Sequence, residues 1–215
     1  MQQRIITIVL LTGLFFSLIS LVYGMSSWRL PDRETGYSPQ QPIDYSHRLH
    51  AGELQINCQF CHSAANQSRH AGIPSSDVCM KCHKVVTSSF DALQDEIARA
   101  DEEQRKPNPV VSAKLRPLYD FLGLDEALKA RTDATPTSIP WVRVHNLPDF
   151  VYFDHRAHIT AGVICQRCHG AIESMERVRQ VESLSMGWCV NCHRDTTEID
   201  GKPVQASTDC AVCHF

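Results

Sequence analysis

The stretch YSHRLHAGELQINCQFCH, Tyr45 to His62, opens with an aromatic residue followed by His47 and His50 and ends in Cys58-x-x-Cys61-His62. A second stretch, FDHRAHITAGVICQRCH, Phe153 to His169, repeats that order with His155, His158, Cys165, Cys168 and His169. Each is followed by another C-x-x-C-H, at Cys79, Cys82 and His83 and at Cys189, Cys192 and His193, and a last one closes the chain at Cys210, Cys213 and His214. All 10 cysteines fall in such pairs.

C-x-x-C-H is the attachment sequence of c-type haem: two thiols form thioethers with the porphyrin edge and the histidine takes one axial position of the iron. Zinc knuckles, redox-active pairs and disulfide scaffolds also use paired cysteines, but none of them needs the next residue to be histidine. With 11 His in 215 residues, five such hits in a row have a chance probability on the order of 10⁻⁷. The expectation is five covalent haems, with His62, His83, His169, His193 and His214 as proximal ligands.

Six histidines remain: His47, His50, His70, His145, His155 and His158. They nearly match the five sixth ligands that six-coordinate irons would need. The pattern aromatic-x-H-x-x-H sets two imidazoles about 300° apart on a helical projection, which sends them to different porphyrins. By sequence proximity His47 serves the Cys58/Cys61 haem and His155 the Cys165/Cys168 haem. His70 and His145 are further ligand candidates. Met175 and Met186 lie in the interval between His169 and His193, where a thioether ligand is the alternative, although packing beside Trp188 is the preferred reading of Met186.

At the other end, Ile5 to Tyr23 is uncharged and long enough to span a bilayer core of roughly 30 Å. Arg4 before it favours an inside N-terminus. A retained anchor, residues 1–27, is preferred over a cleaved signal peptide, for which Val22-Tyr23-Gly24 would be the cleavage region. Residues 28–44, with Pro31, Pro39 and Pro42, read as an extended tether. A first dihaem unit (45–83) and a trihaem unit (141–215) then flank a connecting insertion (84–140) without cysteine or histidine. In the insertion, Phe90, Leu93 and Ile97 predict a helix capped by Ser88 or Ser89 and ended by Pro107 and Pro109. Ser112 to Arg131 predicts a second helix, kinked or split by Pro117 and Gly123.

The formal net charge of −3 and 43% hydrophobic content exclude a disordered chain or a polybasic nucleic-acid surface. Aromatics are only 7%, so porphyrins must supply much of the apolar core. The expected fold is mainly α with much irregular coil, a haem-dominated multihaem cytochrome c with an N-terminal transmembrane helix.

The H-x-x-H pairs ahead of C-x-x-C-H are similar to those of small class III multihaem cytochromes. The longer run resembles the pentahaem cytochrome c subunit of alternative complex III: YSHRLHAGELQINCQFCH, SRHAGIPSSDVCMKCH, IPWVRVHNLPDFVYFDHRAH, CQRCHG, LSMGWCVNCHR and DCAVCHF. The resemblance covers about Tyr45 to Phe215 plus one N-terminal anchor, and WVRVHNLPDF through FDHRAH is its most specific part. The segment between His83 and Pro140 departs from it by its length. The resemblance implies an electron-transfer subunit with no catalytic site of its own, in a quinol:electron-acceptor oxidoreductase. Its implied partners are an iron–sulfur/molybdopterin-like subunit and polytopic quinol-binding membrane subunits, with a monohaem cytochrome c or terminal oxidase as acceptor. Its implied location is the bacterial cytoplasmic membrane with the haems on the periplasmic side. Two rival readings stay open, a free-standing membrane-anchored carrier and a multihaem oxyanion reductase with an open iron.

Overall fold

The computed structural model describes residues 2–27 and 34–214. The sequence-predicted tether therefore lies partly outside the described residues, Trp28 and Pro31 included, as does Phe215.

Helix α1, Gln2–Ser27, is long and apolar enough to cross a membrane, and its large apolar side chains from Ile5 to Tyr23 are exposed. Apolar residues on every face, with none covered by the rest of the chain, suit a lipid environment rather than a protein core.

Residues 34–44 are extended, as Pro39 and Pro42 require, but they are docked. Gly36 N–H donates to Gln180 O, Gln180 N–H to Tyr37 O, and Ser38 Oγ to Val178 O. Gln41 exchanges two hydrogen bonds with the backbone of Val142. The extended tether expected from the prolines is extended over its described part, and its backbone is also paired: proline keeps the backbone extended, and an extended backbone can pair. The pairing is anchored by Gln180, which is buried and turns its amide onto the Glu182 and Ser183 carbonyls.

The C-x-x-C-H motifs sit on short helices. The first, third and fifth lie on single turns, α2 (Cys58–Cys61), α7 (Gln166–His169) and α9 (Cys210–Cys213). The second and fourth lie on longer helices, α3 (Ser76–His83) and α8 (Met186–Asp195). Caps explain the starts: Asn57 and Asp209 accept from the second N–H beyond them, and Ser185 accepts from Trp188 N–H. Among the described residues the strand content is one antiparallel pair, β1 (Glu198–Ile199) and β2 (Lys202–Pro203), turned by Asp200-Gly201, both at positive φ.

The insertion folds as α4 (Phe90–Glu102), with Ser89 as its cap, and α5 (Arg116–Phe121). The second helix is far shorter than the expected Ser112–Arg131. Pro117 sits in its first turn, Gly123 at φ +64° ends it, and Asp125 Oδ1 then captures the N–H groups of Ala127 and Lys129 in a turn. Leu118 and Tyr119 pack on Ile43 and on Cys79 and Met80 of α3, forming the apolar core. The insertion is thus a buttress for the second motif, and Tyr119 donates its hydroxyl to the carbonyl of His83 at 2.6 Å.

The two repeated units interlock rather than fold side by side. The first H-x-x-H lies on a π-turn, Arg48–Glu53, which packs against a 3₁₀ turn, Ile172–Ser174, just after the third motif. Arg48 N–H donates to Met175 O, and a Cβ on Gly52 would collide with Glu173 O. Conversely the second H-x-x-H, on α6 (His155–Thr160), takes its support from the loop after the first motif, with His155 and Arg156 N–H donating to the carbonyls of Arg69 and Ser68.

Candidate haem-ligation site

The aromatic residue of each aromatic-x-H-x-x-H pattern braces both of its histidines. Tyr45 stacks on His50 (centroids 4.5 Å apart) and meets His47 edge-on (4.9 Å). Phe153 repeats this with His158 (4.6 Å) and His155 (4.8 Å). Burial, then the nearby thiols of Cys61, Cys79 and Cys58, push the Tyr45 phenol well above its usual range, so it stays neutral.

Held this way, the four imidazoles face four proximal histidines. His47 lies 6.5 Å from His62 with the rings 3° from parallel, and His155 lies 6.4 Å from His169 at 11°. His50 lies 6.1 Å from His83, and His158 lies 6.0 Å from His193. Metal–imidazole bonds are about 2.0–2.1 Å, and about 1.1 Å more separates nitrogen from ring centre, so two imidazoles trans on one metal sit about 6.2–6.4 Å apart. The pairs fit that separation. One H-x-x-H therefore reaches two motifs, its first histidine facing its own unit's first motif and its second the next.

The second ring nitrogens fit as well. His62 Nδ1 lies 2.6 Å from Gly72 O, His83 Nδ1 2.8 Å from Val86 O, and His193 Nδ1 2.5 Å from Ser207 O. His50, His155 and His158 place Nδ1 on the carbonyls of Ser46, Arg69 and Asp154. An Nδ1–H donating to a carbonyl leaves the Nε2 lone pair for a metal and fixes the ring plane. Burial first, then neighbouring histidines, lower His47 to about 4 and His169 to about 3, so both rings are neutral at neutral pH, the form a metal ligand needs. None of the ten cysteines is tied up in a disulfide, so both sulfurs of every motif are available for thioether formation.

The remaining candidates are placed differently. His145 lies beside His169, rings 4.4 Å apart at 78°, with its Nε2 3.3 Å from His169 Nδ1. That is too close for an iron between them, and His155 already faces His169 from the other side. His70 is exposed, with its N–H on Ser68 Oγ. His214 faces the Phe150 ring at 5.8 Å, and its strand bridge to Val151 docks the last motif on residues 150–153. Met175 is buried beneath the π-turn with its carbonyl taken by Arg48 N–H. Met186, expected to pack beside Trp188, is 65% exposed, because it is the first helical residue after the Ser185 cap and points away from the body.

The thiols mark which motifs are neighbours. Cys61 interacts with Cys82 and Cys79, joining the first motif to the second, and Cys165 interacts with Cys58, joining the third to the first. Burial, then Cys192 and Cys189, push the Cys168 thiol up to about 11, which joins the third motif to the fourth, and Cys189 interacts with Cys213 of the fifth. The carbonyls that accept from the imidazoles, and the bracing role of Tyr45 and Phe153, are not predicted from the sequence. Backbone acceptors leave no side-chain signal, whereas the repeated aromatic position was a usable one.

Residues 151–215 match the family described as cytochrome c7 and related cytochrome c. The chain is also 25% identical, over 91% of its length and 85% of the relative's, to the multiheme cytochrome c subunit of menaquinone reductase from Nitratidesulfovibrio vulgaris. Motif, imidazole geometry and these similarities agree on a mainly helical fold of the multihaem cytochrome c class, a class of electron-transport proteins.

Proposed function

We propose that this chain is the pentahaem, membrane-anchored electron-transfer subunit of a quinol-oxidising respiratory complex of the alternative complex III kind. The observation that carries the reading is the set of four facing imidazole pairs at 6.0–6.5 Å. Each of those four motifs would hold its iron between two imidazoles of this chain, which would leave no position for a substrate there. When bound at the five motifs, c-type haem supplies an iron that takes up and releases one electron at a time.

The chain's own part is ligation, spacing and insulation. The thiol neighbourhoods support a spatial order of second, first, third, fourth and fifth motif, a single file with the buttressed second motif at one end and the C-terminal motif at the other. In this reading His70 completes the fifth motif. Arg69 lies over the Tyr152 ring, and Tyr152 N–H donates to Cys213 O, which brings the 68–70 loop alongside His214.

A single α1 span cannot build a quinol site, so polytopic membrane subunits and an iron–sulfur/molybdopterin-like subunit are the partners proposed. A monohaem cytochrome c or terminal oxidase on the periplasmic side is the proposed acceptor. A second reading reverses the flow towards quinone, favoured by the menaquinone reductase to which one relative belongs. The test is affinity purification from gently solubilised membranes, haem counting by mass, and addition of quinol. Copurifying iron–sulfur and polytopic subunits with quinol-dependent haem reduction support the first reading. Copurification with haem oxidation by quinone, and no reduction by quinol, moves the conclusion to the second. A five-haem chain that emerges alone and ignores quinol overturns both.

A further inference from the structure

Arg69 brings a cation in among two of the C-x-x-C-H motifs. Its carbonyl accepts from His155 N–H and lies 2.8 Å from His155 Nδ1, which ties the residue to the ring that faces His169 of the third motif. Its guanidinium lies over the Tyr152 ring, with Cζ 4.6 Å from the centroid, and Tyr152 N–H donates to Cys213 O of the fifth motif. Its Nε is buried and meets no acceptor.

Among the described residues no carboxylate pairs with this guanidinium. Asp154, beside His155 in the chain, takes Arg156 instead, at 2.9 Å. A tyrosine face attracts a cation but offers no lone pair in the plane of an N–H donor, and a charge withdrawn from water needs an ion of opposite sign. The match for a guanidinium fork is a carboxylate, which takes two N–H groups at once. Each haem carries two carboxylates of its own, the propionates, and thioether attachment leaves both free. We propose that Arg69 is the counter-ion of a propionate on the third or the fifth haem, so that one residue orients His155 through its carbonyl and holds a porphyrin through its side chain. Reduction adds an electron to the haem, so a cation at its edge favours the reduced form.

The inference rests on the haem reading of the motifs, so the first measurement is haem count by mass, with peptide mapping, on the parent protein. A parent without haem on the third and fifth motifs removes that reading and the inference with it. A parent carrying both leaves Arg69 to be judged alone, by Arg69→Gln, which drops the charge, and Arg69→Lys, which keeps it. Both variants retain the carbonyl that holds His155.

Electron paramagnetic resonance and a resolved redox titration are read on the full chain. For Arg69→Gln the expected result is an unchanged haem count, no new high-spin signal, and one haem whose reduction equilibrium moves about tenfold towards the oxidised form, about 59 mV for a one-electron couple. Arg69→Lys returns most of that shift. His155→Ala marks the signal of the third haem and His214→Ala that of the fifth, each by removing a ligand, and a shift at either one supports the inference and names the source of the propionate. Parent-like potentials, or a shift confined to the first, second or fourth haem, overturn it and leave Arg69 as packing on Tyr152. A new high-spin signal in Arg69→Gln makes the residue a support for His155 alone and overturns it as well. Should Arg69→Gln not accumulate, Arg69→Met carries the same expectations.

Discussion

At Tyr45 and Phe153 a single ring steadies two imidazoles, one by stacking and one edge-on. Replacing either by Ala removes both contacts, so two haems should be affected together: His62 and His83 lose their partners in Tyr45→Ala, His169 and His193 in Phe153→Ala. Growth of a high-spin signal from two haems, with the haem count by mass unchanged from the parent, is the expected outcome; loss at one haem would separate the braces. The buried imidazoles also set an acid limit. His47 sits at about 4 and His169 at about 3 in the folded chain, against an ordinary value near 6.5. Below about 6.5 the unfolded state therefore binds more protons than the folded one, and stability falls as pH drops from about 6.5 towards 3. Denaturation midpoints measured between pH 7 and 4 should fall steadily, and a flat profile would contradict the assignment of these rings as neutral ligands. Motif residues were legible in the sequence because haem attachment fixes spacing covalently. His145 was not, because a histidine beside a ligand and a histidine across from one leave the same letter.

At the scale of elements, local signals were read well where they stood unopposed. Ser89 before Phe90, Leu93 and Ile97 gave α4. Ser112–Arg131 failed because leucine periodicity competed with Pro117, Gly123 and the Asp125 turn, and the breakers won. The surviving helix α5 matters through Tyr119, whose hydroxyl satisfies the carbonyl of His83 at 2.6 Å. Tyr119→Phe leaves that carbonyl unpaired in the core and should cost about 1–3 kcal/mol. A matching drop in chemical stability, with the other haems' spectra unchanged, is the check; an unchanged midpoint would mean that water replaces the hydroxyl and α5 is not the buttress described.

Across the whole molecule, the repeat was visible in the sequence but the way its copies meet was not. Chain order suggests two units in tandem, whereas each unit's H-x-x-H turn is seated on the loop that follows the other unit's first motif. Long-range backbone pairing between non-periodic loops carries no composition signal. Gly52 is where the seat is tightest: a methyl there collides with Glu173 O, so Gly52→Ala should force the π-turn off its support and cost about 1–3 kcal/mol. A single, lowered unfolding transition is expected; two separate transitions would show that the units are independent after all.

The exchanged seats bear on how such a chain can be made. The turn that presents His47 and His50 cannot settle on its seat until residues 171–175 have been synthesised, more than a hundred positions later. Until then His47 and His50 lack the support that orients them, whereas the core of Ile43, Leu118 and Tyr119 packs on residues no later than Trp141, so the first half can form its core before its histidine turn is placed.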